Sequence, residues 1–470
     1  RRDRRRAHRY PRLTLMHTAS PFVRVVVLNF DGGQMTMDCL ASVMASDWPA
    51  DRFEIVMVDN GSLDDVVERV RDELPGVRVI EPMANTGFAA GCNLGIRAPG
   101  DFDLVALVNN DATVDPGWLR PLVEAVHADR GVGAASPKML FDGRFVEVDV
   151  RVDDAARIGA DPRTLGVRLT AARIDGTRAD DRLAFDEGFF PPEAPVRKLG
   201  EELARWSWRR GLIRVRIGSD GRVPQTLSLR LAAIEPRNVH LVTDRADVPV
   251  FVADQPRWVD VTLGAEPFDV VNNAGSALYP NGFGGDRGFL EADRGQFDEP
   301  AEVFAWCGGA VVMRREYLDD VGLFDERLFL YYEDTDLSWR GRLRGWRYVF
   351  VPDSVVRHRH AQSSGVGSPV FRYFTERNRP LVLVKNAPAA MAWRAGAGLG
   401  RRAISSTVRG VVLRPLTMRM PMRADAAHHW RIFAGYLRLV PGMLRDRWRA
   451  RPAVARSELL RWEQHKETAA

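Results

Sequence analysis

Continuous apolar runs separated by amphipathic stretches mark the first part of the chain. Residues 23–30, VRVVVLNF, and 53–62, FEIVMVDNGS, are runs of the kind a strand buried on both faces requires. Between them Met37, Leu40, Val43 and Met44 recur at helical spacing, up to Asp47-Trp48-Pro49. A charged helix over 64–74, a strand VRVIEP at 77–82, the segment NTGFAAGCNLGI at 85–96 and a strand LVALVNND at 104–111 follow. This βαβαβ punctuation predicts an α/β fold built on a parallel sheet.

Residues 142–265 break that pattern. FVEVDVRV, GVRLTAARI, LIRVRIG, QTLSLRLAAI, VHLVTD, VPVFVAD and WVDVTL are short β-rich runs, and Ser219-Asp220-Gly221 reads as a hairpin turn. Strands so spaced, with no helices between them, predict an inserted β-sandwich-like domain whose default role is a spacer. Trp206 and Trp208 within it are either packing residues or stacking platforms for a carbohydrate. The Gly- and acid-rich stretch after the insert, up to Pro300, reads as a long ordered loop. Cys307-Gly308-Gly309-Ala310 then opens a strand AVVMRR, a helix runs on from Asp334, and YVFVPDSVV is a further strand. Beyond residue 385, Phe433, Tyr436 or Leu437, Val440, Leu444 and Trp448 form one helical stripe, with Arg431, Arg438, Arg445 and Arg447 outside it and Pro441 expected to kink it. The boundaries drawn are 13–141, 142–265, 266–385 and 386–470.

Composition narrows the class. A chain of 470 residues that is 45% apolar forms more than one core. Its three cysteines, Cys39, Cys92 and Cys307, are far apart and indicate neither a disulfide framework nor a CxxC metal site, so a reducing compartment fits. No apolar run approaches the ~18 residues of a membrane span, and RRDRRRAHRY lacks the apolar region of a signal peptide. The expected location is therefore the cytoplasm. The net charge of +5 conceals an asymmetry: seven arginines against Asp3 in residues 1–12, and sixteen basic against five acidic residues in 386–470. Residues 13–385 carry 44 basic and 56 acidic side chains, a net −12 between two basic ends. Such ends suit an anionic membrane surface or a polyanion; solvated tails are the plain alternative.

Candidate chemistry gathers at the strand ends. Asn29, Asp59-Asn60-Gly61-Ser62 and Asn109-Asn110-Asp111 each close an apolar run. In open α/β sheets ligands bind beyond the carboxyl ends of the strands. Asp59 could accept hydrogen bonds from a base or ribose, and Gly87 and Gly91 would let backbone approach a ligand at a helix start. Asp-Asn-Gly-Ser is also an ordinary turn. The GxGxxG and Walker A fingerprints are absent, and Asp111 is suited to a divalent cation such as Mg²⁺ or Mn²⁺ beside a diphosphate. The second concentration is RLFLYYEDTDLSWR at 327–340, where Glu333, Asp334 and Asp336 interrupt apolar and aromatic residues. Acids in such surroundings are paired, bound to a cation or used as bases, or they complement a helix start.

Taken together, VRVVVLNF, VDNGS, NTGFAAGCNLGI, LVNND, FLYYEDTDLSWR and VVRHRH resemble the inverting family 2 glycosyltransferases of the GT-A fold, nearest to rhamnosyltransferase-like members of bacterial cell-envelope assembly. The resemblance covers residues 22–141 and about 266–385. It implies a GT-A, Rossmann-like mixed sheet flanked by helices, with the β-rich insert between a nucleotide-sugar half and an acceptor half and a basic helical C-terminal region. It implies transfer from a nucleotide-diphosphate sugar, dTDP-rhamnose first and a UDP-hexose second, to a glycan or polyprenyl-diphosphate-linked acceptor. Location would be peripheral, at the inner face of the plasma membrane.

Asn109-Asn110-Asp111 resembles a variant of the family's Asp-x-Asp triplet in which only Asp111 keeps a metal-binding carboxylate. His358 is the implied partner ligand and His360 its rival, each followed closely by Ser363-Ser364-Gly365. Asp334 is the implied general base, with Glu333 and Asp336 as supporting acids and Arg340 as a partner for them. Asn29, Asp59, Asn85, Gly87, Asn109 and Asn110 would line the donor site; Trp306, Gly308, Gly309 and Asp336 would meet the acceptor. Two alternatives stand beside this: a catalytically silent sugar-binding or scaffolding member, and a nucleic-acid-binding protein using the basic ends. The latter leaves Asp59, Asp111 and Asp334 idle and has no nucleic-acid motif behind it, so no nucleic-acid partner is expected.

Overall fold

The computed structural model describes residues 20–464 except 160, 179–181, 186–187, 197–200, 219–220, 265, 360–367 and 414–421. The basic stretch 1–12, Ser219 and Asp220 of the expected hairpin turn, His360 and Ser363-Ser364-Gly365 lie outside the described residues. Two compact units are present: residues 1–140, 272–289 and 295–470 form the first, and 141–271 with 290–294 the second.

The first unit opens with β1 (Val23–Asn29), α1 (Gly33–Met44), β2 (Phe53–Asp59), α2 (Val66–Glu73), β3 (Val77–Ile80), α3 (Gly87–Ile96) and β4 (Leu104–Asn109). Next come β5 (Ala112–Val114), α4 (Leu119–Ala128) and β6 (Val132–Phe141). The ten-stranded sheet runs in the order Ala301–Glu302, Arg347–His358, β6, Ala310–Arg314, β4, β1, β2, β3, with Val271–Asn273 beside β6 and β5 beside Arg347–His358. The strands β4, β1, β2 and β3 are parallel, and Ala310–Arg314 adds antiparallel to β4. β1 is apolar without alternation because both its faces are covered: Val23, Val25, Val26 and Val27 are at most 1% exposed. Arg24 sits among them, buried, and is satisfied by Glu54 at 2.6 Å and by the carbonyls of Ile96 and Ala98 at 2.9 and 2.7 Å. Its guanidinium thereby binds carbonyls that the end of α3 leaves open. Register sets Asn29 opposite Asp59 and Leu28 opposite Asn109, so the polar strand ends meet along one edge.

The stretch expected as a long loop after the insert is instead partly strand. Ser276–Tyr279 and Phe283–Asp286 pair as an antiparallel hairpin, turned at Asn281 and Gly282 with φ of 65° and 69°. After it come α5 (Arg315–Val321), α6 (Glu333–Arg344), α7 (Pro369–Asn386), α8 (Ala389–Thr407) and α9 (Arg423–Arg449). The expected stripe on α9 largely packs inward: Tyr436 is buried, and Phe433, Val440 and Leu444 pack with it against a core that includes Trp339, Leu381 and Leu399. The apolar faces of α7 and α8 cover the stripe, so residues 386–464 continue the sheet-bearing unit. Leu437 and Trp448 of the expected stripe face outward. α9 continues as one helix through Pro441. No helix among the described residues is long and apolar enough to cross a membrane.

The second unit holds two five-stranded sheets. One runs Leu183–Phe185, Arg210–Arg216, Phe145–Val152, Arg237–Val242, Asp247–Val252. In the other, Thr177–Arg178, Arg168–Ile174, Thr226–Ala232 and Arg257–Thr262 lie in order, with Arg205–Trp206 beside Arg168–Ile174. Among the described residues their strands pair antiparallel, and alternate residues such as Val146, Val148, Val150, Leu227 and Leu229 share one core. Trp206 is buried, with the Arg168 guanidinium over its ring, and Trp208 is exposed.

Candidate active site

Two amide clusters frame the carboxyl edge of the parallel strands. Asn29 Nδ2 donates to Asp59 Oδ1 at 2.7 Å, while Asn29 Oδ1 accepts from Thr36 at 2.5 Å and from Asn110 at 3.1 Å. Ser62 donates to Asp59 Oδ1 through its hydroxyl at 2.6 Å and to Oδ2 through its backbone at 3.1 Å. Gly32 closes this cluster: a Cβ there would lie 2.1 Å from Thr36 Oγ1. In the second cluster Asn60 Nδ2 donates to Asn85 Oδ1 at 3.1 Å and to the Gly87 carbonyl at 3.2 Å, while Asn60 Oδ1 accepts from the backbone and hydroxyl of Thr86, each at 2.9 Å. Thr36, Asn60 and Ser62 were absent from the sequence-derived donor set. Only their place beside the strand ends marks them.

The expected role of the glycines is corrected. A Cβ on Gly87 would lie 2.5 Å from the Phe329 ring and one on Gly91 2.4 Å from Leu28. These positions are small because a loop and a strand pack on α3, and the room over them is taken by protein.

Asp111, just before β5, meets His358, the last residue of Arg347–His358, where these antiparallel strands set Ala112 opposite His358. Both side chains are largely buried, with Asp111 Oδ1 2.9 Å from His358 Nε2. Asn109 Nδ2 lies 3.5 Å from the same nitrogen. On the other side of the ring, Nδ1 is 3.0 Å from Asn272 Oδ1. With that amide oxygen accepting, Nδ1 carries the hydrogen and Nε2 turns its lone pair toward the carboxylate. Two electron-pair donors converging in this way fit a divalent cation. Among the described residues there is no cluster of three or more His, Cys, Asp or Glu able to hold one, so its further ligands would come from substrate and water.

The acids of 333–336 have three different environments. Asp334 is half-buried; its Oδ2 accepts from Gly308 N at 3.1 Å and its Oδ1 from Thr335 N at 2.6 Å. Burial pushes its carboxyl above the usual aspartate range, against the pull of these hydrogen bonds. Glu333 is buried, its Oε2 has no hydrogen-bond partner among the described residues, and desolvation with the Asp334 charge pushes it well up. Asp336 is fully buried. Desolvation alone would push it up, but Lys385 at 2.9 Å and Arg340 at 2.8 Å hold it below the usual range, and Asn386 donates to its other oxygen at 2.8 Å.

Arg340 also donates to the carbonyls of Val321 and Leu323. Asp336 and Arg340 thus brace the fold rather than face an acceptor. Trp306 likewise packs edge-on to Phe324 with no exposed surface, so it offers no platform to a sugar. Gly308 and Gly309 join the two sides of the site: Gly308 N reaches Asp334, and Gly309 O accepts from Asn109 N at 2.9 Å.

Two features were illegible in the sequence. Phe329, Tyr331 and Tyr332, just before α6, have φ of 67°, 66° and 71°. Asn378 of α7 holds them, its Nδ2 lying 2.8, 2.9 and 2.8 Å from the carbonyls of Leu328, Leu330 and Tyr331. The other is Asp286, half-buried at the end of the hairpin and bonded to Asn273 Nδ2 at 2.6 Å. Burial, then the Asp334 charge, push its carboxyl up to about 6 against the opposing effects of Asn273 and His358.

A mixed sheet flanked by helices, with a polar carboxyl edge, agrees with the GT-A type fold expected from the sequence. Residues 24–147 match the family described as Glycosyl transferase family 2, and residues 291–379 match Glycosyltransferase like family 2. In these two stretches the chain is similar to glycosyltransferase family 2. Over 69 residues the chain is 44% identical to N-acetylglucosaminyl-diphospho-decaprenol L-rhamnosyltransferase from two strains of Mycobacterium tuberculosis; the match takes in 14% of this chain and 22% of that protein. The chain therefore spans about a fifth of the length of these relatives.

Among solved structures, GalNAc-T7 with UDP, GalNAc and Mn²⁺ has a TM-score of 0.44 and 15% identity, covering 82% of this chain and 52% of that one. The mannosyltransferase PcManGT from Pyrobaculum calidifontis, in complex with GDP-Man and Mn²⁺, has a TM-score of 0.38 and 14% identity, covering 89% and 88%.

The environment of Glu333 yields a signed expectation. Its folded pKa lies above the unfolded value, so its favourable contribution is present below about 4.5 and is lost as pH rises toward the folded value. Glu333→Gln removes that loss. Thermal unfolding is expected to show the variant gaining stability over the parent on going from pH 5 to pH 8; a variant that loses stability over that range would contradict a neutral buried Glu333.

Proposed function

We propose that this chain is an inverting, metal-dependent glycosyltransferase that moves a sugar from a nucleotide-diphosphate donor to an acceptor hydroxyl. The observation that carries the reading is the presented carboxylate of Asp334, tied through Gly308–Gly309 to the strand end beside the Asp111–His358 pair. Asp334 accepts the proton of the acceptor hydroxyl as that oxygen bonds to the anomeric carbon, and the bond from that carbon to the diphosphate breaks with its electrons passing to the leaving oxygen. Gly308 N–H and Thr335 N–H fix the carboxylate for that transfer. Asp111 and His358 would hold Mg²⁺ or Mn²⁺, which when bound neutralises charge on the departing diphosphate. Asn29, Asp59, Asn85, Asn109 and Asn110 shape the donor edge.

The mycobacterial relative, by its name a rhamnosyltransferase with a decaprenyl-diphosphate-linked substrate, supports dTDP-rhamnose as first donor candidate, with a UDP-hexose second. It also supports a polyprenyl-diphosphate-linked glycan as acceptor. A silent sugar-binding role would leave the held carboxylate without a task.

A lipid-borne acceptor calls for contact with a membrane, and the C-terminal helices carry a surface for it. Trp430, Leu437 and Trp448 are exposed at spacings that keep them on one side of α9, with exposed Arg431, Arg438 and Arg445 each near that row. Trp393 and Ile404 of α8 make a similar exposed row that Val408, just past its end, extends, beside Arg394, Arg401 and Arg409. The Trp430 indole donates to Thr407 at 2.9 Å, which brings the two rows together. Apolar rows edged by arginine suit an anionic lipid surface, and a peripheral position at the inner face of the plasma membrane follows.

Asp334→Asn is expected to lower transfer by about 10²- to 10⁴-fold while leaving metal-dependent donor binding intact; Asp111→Ala is expected to weaken that binding. Turnover assays with calorimetry on both variants check this, and near-normal turnover by Asp334→Asn removes it from the base role. The double variant Trp393→Ser, Trp448→Ser is expected to sediment less with phosphatidylglycerol vesicles while hydrolysing donor as before. Equal sedimentation would exclude these rows as the contact.

A further inference from the structure

Asp286 has no part in the chemistry above, yet the fold brings it to the same place. We propose that Asp286 binds hydroxyl groups of the sugar being transferred and so determines which sugar is accepted; this rests on the glycosyl-transfer reading. The short strand Val271–Asn273 ties the residue to the metal side: Asn272 holds His358 at 3.0 Å and the next residue, Asn273, holds Asp286 at 2.6 Å. The hairpin ties it to the base side. Gly284 lies two residues before Asp286 in one strand and hence on the same face. A Cβ on Gly284 would point to within 3.2 Å of Thr335 Oγ1, the neighbour of Asp334. The face that bears Asp286 therefore abuts the start of α6.

The charges agree with this placement, since Asp334 and His358 both act on the Asp286 carboxyl. In an inverting displacement the attacking and leaving oxygens lie on opposite sides of the anomeric carbon. On the proposed mechanism the sugar ring would lie between the Asp111–His358 pair and Asp334, and Asp286 is linked to the first side through Asn273 and to the second through the Gly284 face. Asp286 Oδ1 accepts from Asn273, while Oδ2 has no hydrogen-bond partner among the described residues. An ionised carboxylate only accepts, and sugar hydroxyls are donors that match it.

A purely structural role, holding the hairpin through Asn273, is separable from sugar binding. Asp286→Asn retains an oxygen for Asn273, and Asp286→Ser tests the same point with a shorter side chain. Calorimetry with Mn²⁺ is run on the full chain with dTDP-rhamnose and UDP-glucose, and with dTDP and UDP as sugarless controls. Both variants are expected to bind the accepted nucleotide sugar about 10- to 100-fold more weakly, as loss of charge-assisted hydrogen bonds implies, and the sugarless nucleotide as the parent does. Equal weakening with and without the sugar, or no weakening at all, overturns the sugar-binding role. A parent protein that binds none of the four overturns instead the glycosyl-transfer reading beneath it.

Discussion

The buried amide of Asn378 holds the loop that places the Asp334 carboxylate. Three residues with side chains, Phe329, Tyr331 and Tyr332, adopt left-handed backbone immediately before Asp334. Such conformations cost about 1–3 kcal/mol each and persist where surrounding structure over-determines them. Here one side-chain nitrogen reaches three carbonyls of that loop, and Arg377 adds bonds to the carbonyls of Arg327 and Leu328. Phe329 also receives Ala89 N on its carbonyl at 3.2 Å and fills the space over Gly87. The loop thus connects the donor-side helix α3 with α7 and delivers the chain into α6 with Asp334 at its first turn.

Within that turn, burial sorts three adjacent acids by what each can reach. Asp336 finds Lys385, Arg340 and Asn386 and becomes a charged brace. Glu333 has no cation against it and is pushed toward the neutral form. Asp334 alone combines solvent access with two backbone donors, the arrangement a general base needs: held in place, raised in basicity and open to a hydroxyl. The same contrast separates Asp111, set against an imidazole whose tautomer Asn272 fixes, from Asp59, whose oxygens are taken up by Asn29 and Ser62.

The strands and helices of the first half were legible because burial on two faces leaves a continuous apolar signature, and the alternating runs of the insert marked its sheets equally well. The polar strand ends were legible for a related reason: an amide or acid closing an apolar run has nowhere to go but the sheet edge. Long-range partners were not. Asn378 lies far along the chain from the carbonyls it binds, and nothing in TERNRP distinguishes it from a surface helix residue. Asp286 sat in a stretch rich in Gly and acids that read as loop, since a four-residue strand with two glycines lacks β periodicity. Trp306 and Asp336 were read as acceptor contacts because a buried aromatic or a braced acid has the same letter as an exposed one. The stripe on α9 showed that one face is apolar, not that α7 and α8 cover it, nor that Leu437 and Trp448 belong with Trp430 to an outward row.

Stereochemistry is the sharpest test, because the proposed role of Asp334 as a general base commits the reaction to one displacement. Proton NMR of sugar released from the nucleotide donor by slow hydrolysis, recorded before mutarotation, gives the configuration of the first-formed product without knowledge of the acceptor. The account predicts an anomer opposite to that of the donor. Release with the donor's configuration would contradict it.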